Sequence, residues 1–170
     1  MNGKIPTPLQ RSSIRGARGF SLIELVIAMV IAAILASIAI PAYNSYILKS
    51  HRTEAKSALL DLASMEERYF STQNQYSQTP TDLGYTGAAF PVVVGSGYYQ
   101  VNIPGATFVP ATPPTALAPA GTPASYSLVA TPVLGSVQVN DTACQSFTLT
   151  SSGIQTATGT DPNPNVDCWQ

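Results

Sequence analysis

The chain opens on a polar, basic stretch and then turns apolar almost without interruption. Residues 20–40 read FSLIELVIAMVIAAILASIAI, and Glu24 is the one ionisable side chain among them. At about 1.5 Å per helical residue this run covers roughly 31 Å, enough to cross the hydrocarbon core of a bilayer. It predicts a membrane helix. Pro41 follows, removing a backbone donor and disfavouring helix at Ile40, so a local kink or melted turn is expected there. Beyond it the pattern becomes amphipathic, with Ala55, Leu59, Leu62, Met65 or Glu66, and Tyr69 recurring at three- and four-residue spacing. Lys49, Arg52, Glu54, Lys56, Asp61 and Glu67 fill much of the remainder, as on a helix half buried against a sheet. The stripe reads as core rather than as a groove for a partner.

Around Ser71 the composition turns polar, and Thr79-Pro80-Thr81-Asp82-Leu83-Gly84 supplies strong turn formers, so the helix ends near there. Strand-like runs follow at 98–103, 125–130, 144–150 and 154–158. Ser151-Ser152-Gly153 joins the last two as a hairpin with Gly in its turn. Between the first two, residues 104–123 carry six prolines in twenty positions, which predicts a loop, extended in places. A surface-variable or glycan-bearing segment is the functional reading of that loop; a connector is the simpler and preferred one. At 170 residues, 45% apolar and 10% charged, the chain has room for one modest globular domain besides its apolar segment. The class expected is α+β, a long helix against a roughly four-stranded antiparallel sheet.

The formal net charge of -1 hides an asymmetry. Lys4, Arg11, Arg15 and Arg18 precede Phe20 with no acidic residue among them, whereas the chain from Phe20 onward has four basic and nine acidic residues, 4 − 9 = −5. That acidic body argues against nucleic acid as a partner, because phosphate backbones are held by Lys and Arg. The basic leader should stay on the cytoplasmic side, sending the C-terminal part outward. An ordinary secretory signal places its small-residue cleavage site after the apolar run, but the Gly19-Phe20 junction comes before it. A cut there leaves the apolar segment on the mature chain. Glu24 then calls for a partner, since a carboxylate within a membrane segment is costly. The freed amino group of Phe20, on the same chain or a neighbour, is the natural one; a tolerated interfacial Glu is the plainer alternative.

Cys144 and Cys168 are the only cysteines. In a chain that looks exported they read as a disulfide worth about 3.5 kcal/mol of denatured-state entropy, with two unrelated buried thiols as the alternative. One His and two Cys do not complete a closed zinc shell, and no metal or cofactor is expected. His51, the only histidine, lies between Lys49 and Arg52 and is expected to be solvated or headgroup-facing. No HExxH, GxSxG, P-loop or dinucleotide fingerprint occurs. Glu66 and Glu67 are adjacent, so on a helix they point in different directions and do not form a glycosidase pair. No catalytic residue is nominated and an enzyme is not expected.

The string Arg18-Gly19-Phe20-Ser21-Leu22-Ile23-Glu24-Leu25, with the apolar run that ends in Ile40-Pro41-Ala42-Tyr43, resembles the N-terminal signature of type IV pilin precursors of the type IVa kind. The resemblance implies that a prepilin peptidase cleaves after Gly19, discarding residues 1–19, and methylates the amino group of Phe20. It implies that residues 20–40 form the membrane and fibre-core helix, 41–70 its amphipathic continuation and 71–170 the head. Glu24 would guide docking into the fibre and complement the N-terminal charge of an adjacent subunit. Ala33 stands where many major pilins have Gly, which removes whatever flexibility that Gly confers.

The string Cys144-Gln145-Ser146-Phe147-Thr148-Leu149-Thr150-Ser151-Ser152-Gly153, with Cys168-Trp169, resembles the close of PilE-like minor pilins. In that family the cysteines pair, here bounding a loop 144–168, and fasten the tail to the last strands. The function implied is a structural subunit, minor rather than major, for pilus assembly and pilus-dependent adhesion or twitching motility. It would be held in the bacterial inner membrane with its head in the periplasm, then built with other pilin subunits into an extracellular fibre. A type II secretion pseudopilin and a competence or adhesive binding pilin are the alternatives. A membrane-tethered enzyme with an uncleaved anchor is the rival from another class.

Overall fold

The computed structural model describes residues 20–104 and 124–170. The leader 1–19, and with it Gly19, lies outside the described residues, as does all of the proline-rich loop except Pro104. The chain divides into two compact units, Met1–Ile40 and Pro41–Gln170.

The first unit contributes the opening of α1 (Leu22–Gln73), whose Leu25 N–H closes on the Ser21 carbonyl at 3.2 Å. Every residue from 20 to 40 is exposed. A helix apolar on all sides has no single face to bury and belongs in lipid or among other apolar helices; the run is long and apolar enough to cross a membrane. Ser37 returns its hydroxyl to the Ile34 carbonyl at 2.7 Å, which removes one polar group from the surroundings. Helical geometry passes through Pro41 without a break in α1.

In the second unit α1 becomes one-sided. Arg52, Ala55, Leu59, Leu62 and Glu66 are its buried residues. The apolar three pack on a five-stranded antiparallel sheet in sequential order: β1 (Val92–Val94), β2 (Tyr99–Asn102), β3 (Ser127–Pro132), β4 (Ser146–Thr150) and β5 (Gln155–Thr158). Period-2 alternation assigns one face of each central strand to the core: Tyr99 and Val101, Leu128 and Ala130, Phe147 and Leu149. The register Val101↔Ala130↔Phe147 carries that face across three strands.

The sheet has one strand more than the roughly four read from the sequence. The addition, β1, is three valines at an edge, too short to show alternation. The turn from β1 to β2 lies against the helix: Gly95 has φ +54°, and the Glu54 carboxylate occupies the place a Cβ would take there while accepting the Ser96 N–H. At the other edge, short helix α2 (Pro164–Asp167) covers β5, and Asn165 Oδ1 accepts the Ala157 N–H at 2.8 Å. Cys144 and Cys168 are bonded, with Cα atoms 5.8 Å apart, and both are buried. Trp169 seats the tail beside them, donating from Nε1 to the Thr156 carbonyl at 2.9 Å and meeting Phe147 edge-on at 5.8 Å.

Candidate functional site

The residues that set this chain apart lie at the start of α1. Phe20 is 83% exposed, and Glu24 occupies the first helical turn. A carboxylate there lies beside the unsatisfied N–H groups and the positive end of the helix dipole. Phe20 lies two positions before α1 begins, next to the turn that carries Glu24. Around it Ile23, Leu25, Val26 and Ile27 are all exposed. The arrangement is one acid at the head of an apolar rod, suited to docking the rod against others by pairing with a cation.

The second feature is a polar cluster that fastens α1 to the loop between β3 and β4. Arg52 donates from Nε and Nη2 to both carboxylate oxygens of Asp141, each at 2.7 Å, and both side chains are almost fully buried. The Asp141 hydrogen bond raises the Arg52 guanidinium above its ordinary value against the opposing effect of burial. Gln138, wholly buried, has its amide nitrogen 2.8 Å from Tyr99 Oη, 3.0 Å from Asp141 Oδ2 and 3.2 Å from the Leu48 carbonyl. Its amide oxygen lies 3.1 Å from His51 Nδ1. Burial first and Asp141 second push the Tyr99 hydroxyl far up, so it stays protonated.

His51 departs from the expectation of a solvated or headgroup-facing side chain. It is half-buried, stacked on Tyr98 beside the start of β2 with ring centroids 3.8 Å apart, and 3.1 Å from the Gln138 amide oxygen. Its neighbours are a ring and an amide, so the cluster is structural.

Glu66 is the third feature. Fully buried, it accepts the Ser77 N–H on Oε2 at 3.0 Å, while Oε1 has no hydrogen-bond partner among the described residues. Burial raises its carboxyl to about 7, with the Ser77 bond opposing and Glu67 adding. Glu67 points elsewhere, accepting the hydroxyls of Tyr76 at 3.1 Å and Tyr126 at 3.2 Å. Ser77 continues to Asp82 at 2.7 Å, so Glu66 secures the chain leaving the helix.

The roles of Arg52, Gln138 and Asp141 were not anticipated, and Glu66 entered the core stripe only as an alternative to Met65. A signal existed: Arg52 and Glu66 continue the spacing of Ala55, Leu59 and Leu62, and a charge in register with a buried stripe must be desolvated. Nothing marked Gln138 or Asp141, which reach the helix from 87 to 90 positions away in sequence.

Comparison with known proteins bears on both parts of the chain. A family model described as "Type IV minor pilin ComP, DNA uptake sequence receptor" matches residues 41–148, and one for the prokaryotic N-terminal methylation motif matches residues 14–40. Among curated relatives, a protein named type IV major pilin protein PilA from Myxococcus xanthus is 40% identical over 68 residues, 40% of this chain and 31% of that one. A fimbrial protein of Pseudomonas aeruginosa is 33% identical over 95 residues, 52% of this chain and 60% of its own. Fimbrial protein Q of Moraxella bovis is 37% identical over 100 residues, covering 54% and 61%. The chain thus spans less than two thirds of the length of each of these relatives.

Proposed function

We propose, from the premise that this chain belongs to the type IV minor pilin ComP family, that it is a structural subunit of a type IV pilus. It is stored in the bacterial inner membrane through residues 20–40, with its head outside the cytoplasm. The observation that carries this reading is the uncovered apolar start of α1 with Glu24 as its single charge. A soluble domain does not leave such a surface open. Lipid satisfies it before assembly and the helices of other pilins satisfy it afterwards. Head-to-tail symmetry that does not close then yields a filament.

The methylation motif supports the processing steps: a prepilin peptidase cuts after Gly19 and methylates Phe20. The new N-terminal charge of one subunit pairs with Glu24 of its neighbour, which lowers the cost of burying either. Pro41 is the point where α1 is free to bend. Pilins are structural subunits, and no catalytic step is assigned to this chain. The test is to purify fibres from cells carrying a tagged chain and measure its ratio to the dominant subunit. A low but constant ratio is expected; a tag absent from fibres refutes the reading.

The family's description as a DNA uptake sequence receptor supports a second reading, capture of DNA by the head. The charge inventory weighs against it. Of the four cations from Phe20 onward, Arg52 is committed to Asp141 and Lys56 to the Gln170 carbonyl at 2.8 Å. Binding of duplex DNA that weakens steeply with salt decides for capture; no binding at low salt decides against it.

A further inference from the structure

Glu66 is a buried acid that the proposed function leaves without a role. Its side chain is fully enclosed, Oε2 accepts the Ser77 N–H at 3.0 Å, and Oε1 has no hydrogen-bond partner among the described residues. The ionisable groups around it are Glu67 on α1, Tyr76 on the connection after the helix, and Tyr126 just ahead of β3. Asp82, on the short turn Pro80–Leu83, joins them through the Ser77 hydroxyl at 2.7 Å. None of these is a cation. Arg68 is exposed, and it lies two positions along α1, a spacing that does not share a helical face. A carboxylate taken out of water with one neutral donor is strongly disfavoured, so this enclosure suits the protonated acid.

The stretch 76–83 is seated on α1 by contacts that converge on this acid. Tyr76 donates its hydroxyl to Glu67 at 3.1 Å, and its ring stacks on Phe70 at 4.7 Å and meets Tyr126 edge-on at 4.6 Å. Ser77 is buried and takes the Thr79 N–H on its Oγ at 3.0 Å; Pro80 and Leu83 are buried beyond it. Residues 76–79 belong to no helix or strand, and their backbone is joined to α1 through the Glu66–Ser77 bond. A segment with no ladder of its own opens at a smaller free-energy cost than the sheet does. Whatever changes the charge on Glu66 acts on that opening first.

We propose that Glu66 is a pH-sensitive latch in the head: protonated, it closes the stretch 76–83 onto α1, and when its proton passes to solvent the stretch lifts and water reaches the carboxylate, with the sheet still folded. Burial above all, with Glu67 adding and the Ser77 bond opposing, raises the carboxyl from 4.5 to about 7. The closed form therefore binds the proton more tightly than the open form. Opening becomes easier as pH rises from about 4.5 to about 7 and levels off above that. A partner that grips residues 76–83 in their closed form is held more tightly in acidic surroundings than in neutral ones.

The test is residue-resolved amide hydrogen exchange on the full chain in detergent, corrected for the intrinsic pH dependence of exchange. Protection of the Ser77 and Thr79 amides should fall about tenfold per pH unit between about pH 5 and 7. At every pH it should stay well below that of the best protected amides of β2 and β3. Glu66→Gln, which cannot ionise and keeps an acceptor for the Ser77 N–H, should flatten the profile, whereas Asp82→Asn should leave its slope in place. In the wild type alone, the Glu66 side-chain carboxyl carbon should titrate near pH 7. A flat wild-type profile, a slope that survives Glu66→Gln, or a slope lost in Asp82→Asn overturns the latch. So does a carboxyl that titrates near 4.5, or protection at Ser77 equal to that of the sheet, since the acid would then be released only by global unfolding.

Discussion

Arg52 and Asp141, 89 positions apart in sequence, meet through two parallel hydrogen bonds of 2.7 Å in the interior of the head. The fork of a guanidinium matches a carboxylate, and burial makes the pair intolerant of losing one member. Arg52→Ala or Asp141→Ala should each cost about 3–5 kcal/mol, since each strands a buried charge. The double substitution should cost less than the sum of the two. Urea unfolding of the detergent-solubilised chain measures all three. Additive losses would mean that the two charges act independently.

Glu66 makes stability depend on pH in a defined sense. Its carboxyl is raised from 4.5 to about 7 by burial, so the native state holds its proton more tightly than the unfolded chain does. The resulting stabilisation is fully present below about pH 4.5 and is lost as pH rises through about 7. At 1.36 kcal/mol per unit the whole span is about 3 kcal/mol. Glu66→Gln mimics the protonated acid and keeps an acceptor for the Ser77 N–H. The stability difference between wild type and Glu66→Gln should therefore change across that window; a constant difference would contradict the assignment.

The Cys144–Cys168 bond fastens the tail beside β5, where Trp169 and Asn165 add their own contacts. Reduction, or Cys144→Ser with Cys168→Ser, should lower stability by about 3.5 kcal/mol through the freed loop. Hydrogen exchange should show the loss of protection concentrated in β5 and α2. Uniform loss across the sheet would indicate that the bond holds more than the tail.

Glu24 is predicted to act in assembly and not in processing. Glu24→Ala should be cleaved normally and remain in the membrane, since removing a charge from an apolar helix favours lipid. Its share in purified fibres should fall by at least about tenfold, the consequence of losing roughly 1.4 kcal/mol of pairing. Immunoblots of membrane and fibre fractions give both quantities. Undiminished incorporation would refute the pairing role.

Much of this molecule can be read along the chain because its determinants are local. The apolar run 20–40, the stripe Ala55-Leu59-Leu62, the hairpin turning at Gly153 and the cysteine pair all announce themselves by periodicity or residue type. β1 escaped notice because three valines carry no period. The setting of His51 escaped because it depends on Tyr98 and Gln138, which only folding brings to the helix. Arg52 looked like solvent-facing charge for the same reason: its partner lies on a distant loop. Local patterns give the elements, while the polar contacts that lock them together come from chain closure.

The most direct test of the account is mass spectrometry of the chain's N-terminus, taken from purified fibres and from the inner membrane. The mature chain should begin at Phe20 and carry one methyl group on its amino nitrogen. A chain that still begins with the leader, or one cleaved beyond Ile40, would contradict it.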